Sequence, residues 1–256
     1  MRRESSKDKW EKFWQGHSDV DEVYSNEERI IRAFLNLGDI SGKKILEVGA
    51  GTGRDSFKLA SMGASVFVVD YALNAIKIIE NLNKESEFNV IPVCGDAFKL
   101  PFKDETFDIV FHQGLLEHFR NPKCILDENY RVLRKGGYIV VDVPQRWHIY
   151  TIIKHILIAT DKWFAGWETE YSYPQLVRLL SQCGFDVKFG VGEWMYPSLF
   201  YRIFREIGKK AGIKLPLYPP KVPVLWKIRK SIRERLRDTR FALTTGIAIG
   251  VVGIKR

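Results

Sequence analysis

The sequence predicts an α/β domain whose central sheet is mostly parallel. Five short segments between residues 43 and 144 are rich in Val and Ile and apolar on both faces, which is typical of strands covered by helices on both sides. Segments with apolar residues at helical spacing lie between them. This alternation predicts repeated βα units with right-handed crossovers, and no internal repeat of fixed period is present.

The patterns assign the first elements in order. We expect helices at residues 55–63 and 74–86, and a third that Asn121 caps and that ends in the basic turn at residues 131–135, before two glycines. An amphipathic helix at residues 20–38 would cover the sheet edge or the ligand mouth. The expected strands of this half are residues 44–49, 65–70, 89–96, 107–113 and 137–144.

Two segments interrupt this pattern in the second half of the chain. Residues 145–170 are apolar and aromatic, and they form either a lid over a substrate or an extra core helix. Residues 171–190 predict a helix and a strand, and residues 241–253 predict a buried strand. If these last two strands pair, residues 196–240 are an insertion between them. We therefore expect one domain over residues 1–256, with residues 43–144 as its core.

The charge distribution, the apolar runs and the cysteines indicate a cytoplasmic protein with one strongly basic segment. The net charge of +9 comes from residues 201–240, which hold thirteen Lys and Arg against three acids, whereas the rest holds 27 against 28. The charged N-terminus lacks the pattern of a signal peptide, and no apolar run reaches the roughly 18 residues of a membrane span. Cys94, Cys124 and Cys183 form no metal-binding or disulfide pattern, so we expect them buried in a cytoplasmic protein.

A glycine turn follows the first strand in KILEVGAGTGRDS, residues 44–56. Such a turn lets the backbone approach a ligand, and the next helix offers free N–H groups. By itself, such a turn is compatible with a dinucleotide, a phosphate group or another kind of ligand. The dinucleotide pattern would need glycine where Arg54 stands, and the G-K-[ST] of a phosphate loop is absent. Asp70 and Asp96 end later strands, where an acid alone is as often a turn or helix cap as a ligand.

Four features in order make residues 43–143 resemble the class I S-adenosylmethionine-dependent methyltransferases. These are LEVGAGTG, the acid Asp70 ending the second strand, the acid-alanine pair in GDAFKLPFKDETFDIVF, and HQGLLEHF after the fourth strand. The resemblance implies a Rossmann-like seven-stranded sheet, mostly parallel with an antiparallel last strand. It also implies helical insertions after strand five and between strands six and seven.

The resemblance further implies S-adenosylmethionine as the cofactor. A carboxylate at Asp70 suits a ribose diol, Asp96 and the Ala97 N–H suit adenine, and a positive sulfonium explains why no phosphate-binding lysine is present. The residues expected to bind the cofactor lie at the strand ends and in the turns after them. They are Glu47, Gly49, Ala50, Gly51, Thr52, Gly53, Asp70, Tyr71, Asp96, Ala97, His112 and Gln113.

Methyl transfer is a direct displacement that depends mostly on positioning, with a base only where the acceptor must lose a proton. The candidate bases are His118 and His148. Some metal-using members of the family have an E-x-x-E-H motif that Glu117 and His118 partly match, but Gly114 replaces its first acid. Losing that oxygen ligand weakens a divalent site, so we expect no metal.

We expect the segments that interrupt the pattern, residues 145–170 and 196–240, to determine which acceptor and partners bind. Residues 221–240 form a basic amphipathic pattern that suits anionic lipid, nucleic-acid phosphate, an acidic substrate or merely solvent. We expect methyl transfer to an O or N atom of a small or lipid- or saccharide-linked acceptor, at the membrane periphery. RNA is the second expectation and a noncatalytic binding protein the third. The sequence does not determine the oligomeric state.

Overall fold

A seven-stranded sheet forms the centre of the protein. The computed structural model describes residues 6–15, 29–163, 165–194, 197–220 and 222–256. The strands are β1 (Lys44–Val48), β2 (Ser65–Asp70), β3 (Ile91–Cys94), β4 (Phe107–Gln113), β5 (Leu133–Pro144), β6 (Phe185–Glu193) and β7 (Ala248–Lys255).

Helices cover both faces of this sheet, and a 3-10 turn at Leu116–His118 follows β4. The helices are α1 (Lys7–Gln15), α2 (Arg29–Leu35), α3 (Arg54–Ser61), α4 (Leu73–Glu85), α5 (Lys123–Val132), α6 (Ile149–Ala159), α7 (Tyr173–Gln182), α8 (Leu199–Lys210), α9 (Pro223–Leu236) and α10 (Arg240–Thr245). Of the helix predicted at residues 20–38, α2 is the part found, and residues 20–28 lie outside the described ranges.

The strand order is β3-β2-β1-β4-β5-β7-β6, with β7 antiparallel to both neighbours and the other pairs parallel. This confirms the predicted Rossmann-like sheet, including the helices after β5 and between β6 and β7. Ala248 pairs with both Pro144 and Glu193. The ends of β5 and β6 therefore lie at the same edge of the sheet as the carboxyl ends of β1, β2 and β4, and both helical insertions begin there.

The buried core has two layers, one on each face of the sheet. Neighbouring residues of β1 point to opposite faces, so that Ile45 packs with α2, α3 and α4 whereas Leu46 packs with α5 and α7. Both side chains are fully buried. This two-sided burial explains why the strands lack a polar face in the sequence.

Several predicted boundaries were wrong. The third predicted helix, α5, ends at Val132 instead of Lys135, because Leu133 already pairs with Phe107 in the sheet. It is not capped by Asn121, whose side chain bonds to the sulfur of Cys124, and Pro122 takes the cap position.

Two predicted strands are also shorter than expected. β3 covers only residues 91–94, because the chain turns at residue 96, where the Asp96 carboxylate accepts the Phe98 amide. The strand predicted over residues 241–253 begins at Ala248, because Thr239 caps the short helix α10 before it.

The burial expected for some side chains also differs. Cys183 is buried, but Cys94 and Cys124 are exposed, since β3 is an edge strand and α5 turns Cys124 outward. The core-helix alternative for residues 145–170 is wrong, because α6 leaves Ile152 and Ile156 64% and 59% exposed. None of the helices within the described ranges is long and apolar enough to cross a membrane.

A buried ion pair holds α2 against the sheet. The Arg29 guanidinium donates to both carboxylate oxygens of Asp142 on β5, at 2.5 and 2.7 Å. Both side chains are almost fully buried. Removing one partner of such a pair leaves the other charge uncompensated in a medium of low dielectric constant, which is strongly destabilising.

We predict that Arg29→Ala lowers the free energy of unfolding by about 3–5 kcal/mol. The matched control is Lys123→Ala, which removes an exposed pair with Asp127 and should leave the free energy of unfolding close to that of wild type. Urea denaturation measures both. Equal losses for the two variants would contradict the role of the buried pair.

Candidate active site

A cavity of about 500 Å³ opens at the carboxyl edge of the sheet. It is bordered by the ends of β1, β2 and β4 and by the turns that follow them, with α1 on the outer side. Ligands of open α/β sheets bind at this edge, where the strand order reverses direction on either side of β1. The volume is within the range of small-molecule sites.

The glycine turn after β1 forms the floor of the cavity. Gly49, Gly51 and Gly53 all have a positive φ, of 71°, 55° and 66°, which is readily accessible only to glycine. A side chain at Gly49 would begin 2.7 Å from Leu115, and one at Gly51 would begin 2.5 Å from the ring of Trp14. The turn therefore needs glycine both for its backbone shape and for the close packing above it.

Asp70 lies at the end of β2 with its carboxylate buried beside this turn. The Gly51 amide donates to Oδ2 at 3.0 Å and the Ala72 amide donates to Oδ1 at 2.9 Å. Burial raises the pKa of Asp70, and the two amides oppose that rise. A carboxylate has about four acceptor positions, so it can also accept two ligand hydroxyl groups.

Glu47 and Asp96 border other parts of the cavity. The hydroxyl of Ser56 donates to the buried Glu47 carboxylate at 2.5 Å, while burial, aided by the charge of Asp55, raises the Glu47 pKa well above its ordinary value. Asp96 forms the turn described above through one oxygen, so the turn interpretation of this acid holds, and the other acceptor positions suit an exocyclic amine.

Most residues expected to bind the cofactor lie together around this cavity. Gly53 and His112 are not among those that line it. His112 is fully buried in β4, where burial lowers its pKa to about 3. The residues that line it as expected are Glu47, Gly49, Ala50, Gly51, Thr52, Asp70, Tyr71, Asp96, Ala97 and Gln113.

The two candidate bases are in different places. His118 lines the cavity from the 3-10 turn and packs edge-on against Trp10, with ring centroids 4.9 Å apart. Burial lowers its pKa, partly opposed by Glu168, whose carboxylate lies 3.9 Å from Nδ1. His148 is instead the N-cap of α6, where its Nδ1 accepts the amide of Tyr150.

A cluster of buried charged side chains lies next to His118. We call Glu117, Lys154, Glu168 and Glu170 the acidic cluster; all four are at most 6% exposed. The Lys154 ammonium lies 2.8 Å from Glu168 and 2.6 Å from Glu170, and their attraction outweighs the effect of burial and raises its pKa. Burial and the charge of Glu168 raise the Glu117 pKa well above its ordinary value.

One signal in the sequence could have located this cluster. Lys154 is the single Lys or Arg within a mainly apolar helical run, which indicates a buried partner. Its acids come from a different segment and meet it only in the folded chain. Within the described parts of the chain, no group of three His, Cys, Asp or Glu side chains is arranged to hold a metal ion.

The helix α1 covers the cavity, which the sequence interpretation missed. Its Glu11 carboxylate accepts the amides of Leu73 and Asn74, at 2.8 and 3.1 Å, and so caps α4. This contact holds Trp10 and Trp14 over the cavity. Two tryptophans four residues apart in a charged segment were the available signal, because they share one helix face.

Comparisons with known proteins agree with this geometry. The family model described as a methyltransferase domain matches residues 46–141. A demethylmenaquinone methyltransferase of Renibacterium salmoninarum is 35% identical over 105 residues, which are 41% of this chain and 43% of that protein. The one of Tropheryma whipplei is 30% identical over 167 residues, covering 59% of this chain and 69% of the relative. The match thus spans less than half the length of the first relative.

Solved structures share the fold. A S-adenosylmethionine-dependent methyltransferase of Thermotoga maritima superposes with a TM-score of 0.61 at 21% identity, covering 97% of this chain and all of that one. A Haemonchus contortus phosphoethanolamine N-methyltransferase, solved with S-adenosylhomocysteine, has a TM-score of 0.60 at 18% identity over 90% and 53% of the chains. Together with the relatives above, the glycine turn and Asp70, this means that the chain belongs to the class I S-adenosylmethionine-dependent methyltransferases.

Proposed function

We propose that this protein transfers the methyl group of S-adenosylmethionine, by direct displacement, to an O or N atom of a small or lipid-linked acceptor. The observation that carries the proposal is a single cavity with two unlike ends. One end holds the glycine turn, Asp70 and Asp96, and the other holds His118 among aromatic side chains. The bound cofactor supplies an electrophilic methyl group on a positively charged sulfur.

The polar end suits the donor. Asp70 is fixed by two backbone amides and can accept the ribose hydroxyls without rearranging. Glu47 adds a second buried carboxyl group at the cavity wall, and a cationic ligand beside it would favour its ionised form. The positive φ of the glycines lets the backbone come close to the ligand.

The other end suits an apolar acceptor with a ring. Trp10 packs edge-on against His118, Phe119 follows His118 in the chain and packs edge-on against Phe98, and the only candidate base among the described lining residues is His118. The names of the curated relatives, demethylmenaquinone methyltransferases, favour a lipid-like quinone as the acceptor class. Aromatic side chains pack well against a flat ring and exclude water from it.

His118 would accept a proton from the acceptor. Its lowered pKa keeps the imidazole neutral at physiological pH, as a base must be. The neighbouring carboxylate of Glu168, held by Lys154, would stabilise the imidazolium that forms. Glu168 is thus a positioning residue, and positioning supplies most of the rate in a displacement of this kind.

RNA is the second candidate acceptor, and the net charge of +10 in residues 201–240 favours it. The side chains around His118 favour the small acceptor, because apolar and aromatic groups suit an uncharged ring better than a phosphate backbone.

We predict that labelled S-adenosylmethionine transfers its methyl group to a short-chain quinol, the reduced form whose hydroxyl groups can lose a proton to His118, but not to total RNA. Scintillation counting of the extracted quinol and of precipitated RNA measures both products. Label in RNA alone would replace the proposal by the second candidate. No label in either, or in a panel of small hydroxyl and amine acceptors, would contradict catalysis.

We predict that His118→Gln lowers kcat by about 10²- to 10⁴-fold and leaves the cofactor KM unchanged. Because burial depresses the pKa of His118, the neutral form persists below pH 6.5, so wild-type kcat should be flat above that pH and fall only in more acidic solution. His148→Asn is the matched comparison and should stay near wild type, since asparagine can still cap α6. A large loss in His148→Asn alone would contradict the assignment.

A further inference from the structure

Two helices at the cavity edge leave apolar side chains in solvent. On α8, Phe200, Ile203, Phe204 and Ile207 follow one helix face and are all exposed, Phe200 by 86%. On α6, the exposed large apolar side chains are Ile149, Ile152 and Ile156, and Trp147 precedes them. Of the nineteen large apolar side chains exposed within the described ranges, fourteen lie in residues 147–156 and 200–241, so the exposure is concentrated in the two insertions.

These helices belong to the same edge as the cavity. α6 follows β5 and α8 follows β6, whose ends are paired with the same residue of β7. Burial lowers the pKa of His148, the N-cap of α6, and the charge of Arg202 in the first turn of α8 lowers it further, so the two helix starts lie within electrostatic reach of each other. We call the exposed apolar faces of α6 and α8 the apolar ridge.

Basic residues accompany the ridge. Arg202, Arg205, Lys209 and Lys210 lie on α8 itself, and residues 201–240 carry the net charge of +10. Two of the basic residues of this segment are paired within the fold, since Arg233 and Arg237 of α9 bind the buried Glu193 at 3.2 and 2.9 Å. These two contacts also fix the insertion to the sheet.

We propose that the apolar ridge and the basic residues beside it dock on an anionic lipid surface. Apolar side chains on one face with Lys and Arg around them are the pattern of a helix that lies in the interface of a membrane. Two copies of this chain would bring like charges together, which opposes a dimer through this face. Nucleic acid would leave the branched aliphatic side chains exposed, because bases stack on planar groups.

This surface differs from the one expected from the sequence. That expectation placed contact with an anionic membrane in residues 221–240, and it stays a prediction. α9 turns Arg233 and Arg237 toward Glu193, although its Ile228 and Ile232 are exposed as well. We place the contact on α8 and α6 because α8 carries the most exposed apolar side chain, Phe200. The idea that the docked protein meets an acceptor held in the bilayer rests on the proposed function. Docking itself requires no catalysis.

Sedimentation with sucrose-loaded vesicles tests the docking. We predict that the protein binds vesicles of phosphatidylglycerol and phosphatidylcholine at least tenfold more tightly than vesicles of phosphatidylcholine alone, and that salt weakens this binding. The double variant Phe200→Ser and Phe204→Ser should bind at least tenfold more weakly. Its matched control is Phe88→Ser, an exposed phenylalanine beyond α4, which should bind like wild type.

Charge is tested in the same assay. Lys209→Gln with Lys210→Gln should weaken binding to the anionic vesicles and reduce its salt dependence, whereas Lys58→Gln with Lys84→Gln, exposed on α3 and α4, should not. The vesicle assay contains no cofactor, so a lack of vesicle binding would leave the methyl-transfer proposal intact. Conversely, a protein that binds vesicles but transfers no methyl group would contradict only the proposed function.

Other occupants give distinct results that would overturn the proposal. Light scattering that finds a dimer broken by the Phe200 and Phe204 substitutions would assign the ridge to a second copy of the chain. RNA shifts abolished by these substitutions, with vesicle binding absent, would assign it to nucleic acid. Equal vesicle binding by wild type and the Phe200/Phe204 variant would also overturn it. Circular dichroism confirms that the variants are folded.

Discussion

The buried carboxylate of Asp70 is the constraint on which the site depends. It joins the glycine turn after β1 to the start of α4 by accepting one amide from each, at Gly51 and Ala72. Burying a carboxylate is costly, and the raised pKa of Asp70 reflects that cost. The two amides offset it in part, and they leave the group rigid and with acceptor capacity toward the cavity.

The remaining parts of the site are arranged around this end of the sheet. β2 and β4 flank β1 and bring Asp70 and the segment around His118 to opposite sides of the glycine turn. The acidic cluster is buried behind His118, and α1 closes the outer side through Glu11. Because both insertions also begin at this edge, the positions of the cofactor site, the proposed acceptor site and the proposed docking surface all follow from one topological feature, the parallel order of β1, β2, β4 and β5.

The sequence predicted what depends on local pattern. β1, β2 and β4 were found at the expected residues because their apolar runs end in turns or acids, and the glycine turn identified the donor end. The prediction failed where contacts between residues distant in the sequence determine the structure. Leu133 joins β5 because Phe107 pairs with it, and the helix pattern of that segment contains no trace of this partner. Helices α6 and α8 have apolar faces that pattern alone assigns equally to a core or to an interface.

The site was predictable to the same extent. Asp70 and Asp96 stand at strand ends, so their meeting follows from a parallel sheet. The contributions of Trp10, Trp14 and Lys154 did not follow, because each depends on how a helix outside the sheet packs. The sequence around His112 does not distinguish a position in the cavity wall from full burial, and the side chain is fully buried.

Titration calorimetry with S-adenosylhomocysteine tests the central role of Asp70 most directly. The account predicts one site per wild-type chain and binding about 100-fold weaker in Asp70→Ala, since two hydrogen bonds to a charged group are lost at about 1.5 kcal/mol or more each. Asp104→Ala, which removes an acid that is 74% exposed, should bind like wild type. Equal affinity of Asp70→Ala and wild type would contradict the account.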